Sequence, residues 1–258
     1  MQYFFSFWDD IPQDAAFQLL GPVHCISLLV IACVMFFSVR WTIRLSPKRR
    51  DRVVQIVAVC LPVLEIARIV WLYQLGETNI AKLLPLHLCG VQIFFLPWAA
   101  FSKNKPVREF VYATALLGGA VALVFLSGIA DTYPFFHFQT IQSILYHMIL
   151  MFVPLVMVFG QGFAPKLSNL PKVVGILAST AFIAGVVDVK FGQNYMFILY
   201  PPDGTPLVQI FDRINHPVYL LLMLFLVVFG IFLTYLPFLF KKTEEDYGMS
   251  ENTVSKEN

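Results

Sequence analysis

The feature that most constrains this chain is a series of apolar runs long enough to cross a bilayer. A helix rises about 1.5 Å per residue, so roughly 20 apolar residues span a hydrocarbon core of ~30 Å. Seven runs approach that length: residues 22–39, 53–73, 83–101, 109–128, 141–160, 172–190 and 216–239. Backbone polar groups in hydrocarbon must be satisfied internally, so runs of this kind fold as helices. The expected class is an all-α membrane protein, a bundle of seven transmembrane helices in one domain over residues 1–240. With 58% apolar and 13% charged residues, the chain has too little polar surface to cover a conventional soluble core.

Lys and Arg are distributed unevenly between the two ends of these runs. Fourteen lie in the connections after runs one, three and five or in the C-terminal tail. Only Lys82, Lys190 and Arg213 lie on the opposite side, and Arg68 falls inside run two. Basic residues are retained in the cytoplasm, so the N-terminus is expected outside and the C-terminus inside. Residues 1–20 carry Asp9, Asp10 and Asp14 and no basic residue, which fits a short translocated segment rather than a signal peptide. The tail 241–258 is polar and expected to be disordered. All four cysteines lie within the runs, which suggests no disulfide framework. The net charge of +2 suits anionic lipid head groups and gives no reason to invoke nucleic acid.

Given that topology, depth can be assigned to the polar residues inside the runs. Cys89 lies six residues below the outer start of run three, roughly 9 Å deep, and His147 lies six residues below the start of run five. Glu65 and Arg68 approach the same level from run two, while His24 and Asp188 lie at outer ends. Ionisable groups in lipid cost at least ~2.5–3.5 kcal/mol each, so they are expected to face one another or an interior cavity. Glu65 and Arg68 are spaced i, i+3 for an ion pair, and a guanidinium fork also suits an anionic head group.

The run LLPLHLCGVQIFFLPWAAF raises a sharper question, because His87 and Cys89 suit lipid poorly. On a continuous helix the two point about 200° apart, so they form no dyad. A nucleophilic Cys89 needs a base from another helix at equal depth, and His147 meets that condition. A packing role for Cys89 stands beside this reading. Gln92, three residues on, would share the Cys89 face and could donate to an oxyanion. His87 is expected to be structural, bonded to Glu65 or to the outer connection, and His137 interfacial. Pro62, Pro97, Pro154, Pro237 and Gly118-Gly119 read as kinks or close-packing points. The connection 191–215 is too apolar for a solvated loop and is expected to fold back over the outer mouth.

Four segments together resemble the YwaF and transmembrane protein 164 family: GPVH at 21–24, LPLHLC at 84–89, Tyr146-His147, and QNYMFI at 193–198. The resemblance covers residues 15 to 240. Animal members of that family are membrane acyltransferases acting on ether phospholipids and lysophospholipids through a cysteine with a histidine partner. They are similar in predicted fold to the androgen-induced lipid hydrolases. The resemblance implies Cys89 as nucleophile and His147 as its partner, with Asn194 of QNYMFI as a supporting residue. This compact chain looks like the short microbial branch, which implies the cell membrane of a microbe.

The resulting expectation is a lipid acyltransferase or lipid-ester hydrolase. Cys89 and His147 would be catalytic, with Gln92, Arg68, Glu65, His87, His24 and Asn194 in support. Membrane lipids would be its partners, and no cofactor or metal is implied. The alternative is a transporter or small-ligand sensor that uses the same polar layer as a cavity or proton relay. A zinc hydrolase built on His24, His87 and His147 lacks a close HxxxH pair.

Overall fold

The computed structural model describes residues 2–126, 128–202 and 205–239. The tail expected to be disordered, 241–258, lies outside them. Among the described residues six helices are long and apolar enough to cross a membrane: α1 (Pro22–Ile43), α2 (Pro47–Gln74), α5 (Lys105–Phe125), α6 (Phe138–Gln161), α7 (Leu170–Phe191) and α9 (His216–Leu239). Three shorter ones, α3 (Ile80–Leu83), α4 (Gln92–Ser102) and α8 (Leu207–Phe211), lie in the connections.

The ends of the helices follow from local sequence. Proline occupies the first turn of α1, α2, α5 and α7, where its missing N–H costs nothing. Asn104 caps α5 by accepting from Val107 N–H at 3.2 Å. Gly162 and Gly192 close α6 and α7 in the left-handed conformation, at φ 67° and 65°. The internal prolines Pro62, Pro154 and Pro237 stay within their helices.

The hub is α5, where every residue from Val107 to Ala115 is buried. It packs against α4 and α6 on one side and α7 and α9 on the other. Lipid tails are as apolar as leucine, so association depends on close packing at small residues rather than on expulsion of water. Gly119 meets Met151 and the backbone of α6, and Gly230 of α9 meets Leu117. The outward faces of α1 and α9 carry exposed Leu29, Phe37, Leu221 and Phe225, as a lipid-facing surface requires.

One expected span is corrected. Residues 83–101 do not form a continuous helix: α4 begins only at Gln92 and covers about 16 Å, half of a bilayer core. Residues 84–91 are an irregular loop. Hydropathy alone did not separate this loop from a helix, because its residues are equally apolar. Non-helical backbone at membrane depth is tolerated where protein buries it, and here α5 and α6 pack on the segment through Gly118 and Tyr146.

The end of the bundle nearest Cys89 is covered from two sides. The N-terminal segment packs Ile11 and Phe17 with Trp71, Leu126 and Tyr133, and Trp71 Nε1 donates to Phe5 O at 3.1 Å. On the other side, the chain after α7 returns over the 84–91 loop.

Candidate active site

Two residues shape the loop that carries the expected nucleophile. Pro85 confines Leu84 to extended backbone, φ −67° and ψ 135°, which stops α3. Gly90 then returns so close to Pro85 that a Cβ on it would stand 2.6 Å from the Pro85 carbonyl oxygen. Only glycine fits there. His87, Leu88 and Cys89 lie between these two points. Helical bonding resumes where Val91 N–H donates to His87 O at 2.9 Å. The N–H groups of His87, Leu88, Cys89 and Gly90 have no acceptor among the described residues and form the free first turn leading into α4. Because this stretch is not helical, the helix-face argument separating His87 from Cys89 does not apply; the two nonetheless form no bond to each other.

Cys89 is half-buried, whereas Cys25, Cys33 and Cys60 are exposed on the outside of the bundle. Its sulfur packs on α5, where a Cβ added to Gly118 would stand 3.1 Å from Sγ. One residue further, a Cβ on Gly119 would stand 3.0 Å from the His147 carbonyl oxygen. Adjacent glycines of α5 therefore bring the Cys89 loop and the His147 turn of α6 to one level. Tyr146 ties them directly, its hydroxyl donating to Cys89 O at 3.0 Å.

The His147 ring is oriented from within its own helix. Nδ1 lies 2.7 Å from the Ser143 carbonyl and 3.3 Å from the Ser143 hydroxyl. A carbonyl only accepts, so Nδ1 carries the proton and Nε2 keeps a lone pair. Among the described residues the ring bonds only to Ser143, and no hydrogen bond joins it to the Cys89 thiol. The Cys89 loop and the His147 turn lie side by side along α5, and no thiol–imidazole hydrogen bond is formed between them.

The supporting residues divide into two groups. Gln92 is fully buried beside the loop, and its Nε2 donates to Thr114 Oγ1 at 2.9 Å. Thr114 is one turn from Gly118 on the same face of α5. The Gln92 Oε1 has no partner among the described residues. Glu65 and Arg68 form the expected ion pair, with Nη2 to Oε1 at 2.6 Å and Nε to Oε2 at 3.1 Å. His87 forms no hydrogen bond with Glu65; instead its ring meets Tyr195 at 5.2 Å and Phe197 at 5.4 Å.

Two residues are employed elsewhere. His24 is fully buried, with Nδ1 accepting from Leu20 N–H and Nε2 donating to Leu123 O, both at 3.0 Å. It fastens the start of α1 to the end of α5 and has no free nitrogen for chemistry. Asn194 builds the turn after α7, accepting from Leu199 N–H at 2.9 Å and donating to Tyr200 O at 2.8 Å. Among the described residues no group of three or more His, Cys, Asp or Glu is placed to hold a metal.

Sequence reasoning gave no role to Ser143, although Ser143 and His147 stand at the i, i+4 spacing of helical neighbours. It also passed over Gly90, whose signal was its position five residues after a proline. The sequence marked Asp188 at an outer end, but not that its Oδ2 and the Tyr195 hydroxyl would lie buried without partners among the described residues.

No curated protein and no solved structure matches the chain. Residues 19–235 match the TMEM164 family, a range that runs from before α1 into the last turn of α9 and takes in the Cys89 loop, His147 and the turn at Asn194. The chain therefore belongs to the TMEM164 family of integral, multi-pass membrane proteins.

Proposed function

We propose that this protein is a lipid acyltransferase or lipid-ester hydrolase with Cys89 as nucleophile and His147 as general base. The observation that carries this reading is the placement of Cys89 in a free-amide first turn, level with His147 across Gly118-Gly119. The unbonded amides of this turn offer donors to a developing oxyanion, and the thiol itself needs a base to become a thiolate. His147 Nε2 takes the Cys89 proton, and sulfur attacks the ester carbonyl of an acyl lipid. The tetrahedral intermediate expels the lipid alkoxide, which receives its proton from the His147 imidazolium, and a thioester remains on Cys89. A lysolipid hydroxyl or water, deprotonated by the same nitrogen, then attacks the thioester and restores the thiol. The amides of Cys89 and Gly90 are the donors nearest the reacting carbon. The two reacting side chains close to bonding distance only around substrate, as catalytic hydrogen bonds often do.

Arg68 supports a seat for an anionic head group. Its Nε and Nη2 are held by Glu65, and Nη1 has no partner among the described residues. Counting α4 with the 84–91 loop as one crossing gives seven crossings, an outside N-terminus and a cytoplasmic C-terminus. The site then lies at the outer-leaflet level of a microbial cell membrane. The test is an acyl-phosphonate lipid probe on purified protein. Labelling should be lost in Cys89→Ala and strongly reduced in His147→Ala; equal labelling of wild type and Cys89→Ala removes the nucleophile.

The transporter or sensor reading draws on a different observation, the fully buried Asp188 whose Oδ2 has no partner among the described residues, near the Tyr195 hydroxyl. It expects Cys89→Ser to retain function while Glu65→Gln or Arg68→Gln abolishes it.

A further inference from the structure

The turn after α7 is held in place at a cost. Met196 and Phe197 are consecutive non-glycine residues in left-handed backbone, at φ 53° and 56°, where side chains crowd their own carbonyls. Closing this turn also buries Asp188 Oδ2 and the Tyr195 hydroxyl without hydrogen-bond partners among the described residues. Against those costs stand a few side-chain-to-backbone bonds. Tyr219 Oη donates to Phe197 O at 2.6 Å, and His216 Nε2 donates to Ile198 O at 3.0 Å. Asp188 Oδ1 accepts from Tyr195 N–H at 2.7 Å, and Asn194 gathers Leu199 and Tyr200. The far side of the turn presses the Tyr195 and Phe197 rings onto His87, two residues from Cys89. Favourable and unfavourable terms of similar kind, concentrated in one short segment, describe an element with two accessible states.

We infer that residues 194–200 form a strap, latched by Tyr219 on α9 and Asn194 at its base, which closes over the Cys89 loop and opens to admit a ligand. The strap requires no acyl chemistry, only that the Cys89 loop is what it covers. Release of the Phe197 carbonyl lets Met196 and Phe197 leave left-handed backbone and exposes Asp188 and Tyr195 to water or lipid head groups. His87 loses its two ring contacts in the same motion.

The test uses full-length protein carrying Cys25→Ala, Cys33→Ala and Cys60→Ala, so that Cys89 is its only thiol. The rate of Cys89 alkylation by a small maleimide is measured with and without Tyr219→Phe or Asn194→Ala. Loss of one hydrogen bond from the latch is expected to raise that rate about five-fold. Amides of residues 195–200 should exchange with deuterium faster, while those of α5 and α6 keep their protection. An unchanged alkylation rate in both variants overturns the strap. So does a faster rate that appears only with lost protection in α5 and α6, which is unfolding. Alkylation needs no acyl donor, so a strap response without lipid-probe labelling retains the strap and discards the acyl-transfer reading.

Discussion

His137 is fully buried, and both of its ring nitrogens are engaged. Nδ1 accepts from Gln139 N–H at 3.1 Å and so caps α6, while Nε2 donates to Ser6 O at 3.1 Å. The ring stacks on Tyr133 at 4.4 Å. Only the neutral, Nε2-protonated imidazole makes both bonds. Burial holds its pKa below the ordinary 6.5, and the bond to Ser6, acting the other way, is the smaller effect. The unfolded chain therefore takes up a proton near pH 6.5 that the folded chain refuses. Stability from this residue is complete above that pH and falls as the pH drops below it. The thermal midpoint of the purified protein should decline between pH 7.5 and 5.5, and His137→Asn, which caps without titrating, should flatten the decline. Identical profiles for the two proteins would assign the acid sensitivity to other groups. The sequence pointed to an interfacial histidine here; its burial depends on residues 4 to 6 folding across it, a long-range contact with no local signature.

Among the elements, the end of the bundle remote from Cys89 is joined by one polar chain. Asp51 of α2 accepts from Lys103 Nζ at 2.6 Å and from Gln161 Nε2 of α6 at 2.8 Å. Gln161 in turn accepts from Arg108 of α5, whose guanidinium lies 5.0 Å from the Phe163 ring centre. Gln161→Leu breaks two of these bonds and leaves Arg108 short of an acceptor at a buried site. It should cost about 1–3 kcal/mol, read as a lower thermal midpoint with probe labelling of Cys89 unchanged at low temperature. An unaltered midpoint would show that the chain of bonds is decorative. The long helices were legible from the sequence because apolar length and first-turn prolines speak for themselves. Only at 83–101 did hydropathy mislead, since the Pro85–Gly90 turn replaces a helix without adding a polar residue. Counting along run three treated Cys89 as helical, whereas the Cys89 loop meets the His147 turn through the packing at Gly118-Gly119 and the Tyr146 bond. The Ser143 bond that fixes the imidazole follows from rotamer choice, which counting does not reach.

At the scale of the whole molecule, the number of crossings depends on α4 and its loop. Together they either reach from face to face, giving seven crossings and termini on opposite sides, or return to the side they came from, giving six. Single cysteines placed in cysteine-free protein at exposed Thr78 and Lys105 decide between these. An impermeant maleimide applied to intact cells should label Thr78→Cys directly and Lys105→Cys only after permeabilisation. Labelling of both from outside would make α4 re-entrant and move the C-terminus to the other face.

The hub helix also has a gradient along its length. From Val107 to Ala115 it is sealed on every side, but beyond the glycine pair Val121, Val124 and Phe125 are exposed at 48%, 42% and 43%. The helix is thus enclosed at its start and open along one side at the end nearer Cys89. If Cys89 acts on an acyl lipid as proposed, a hydrocarbon tail lying in the leaflet would meet that open side edge-on, by sideways diffusion in two dimensions rather than by a climb out through water.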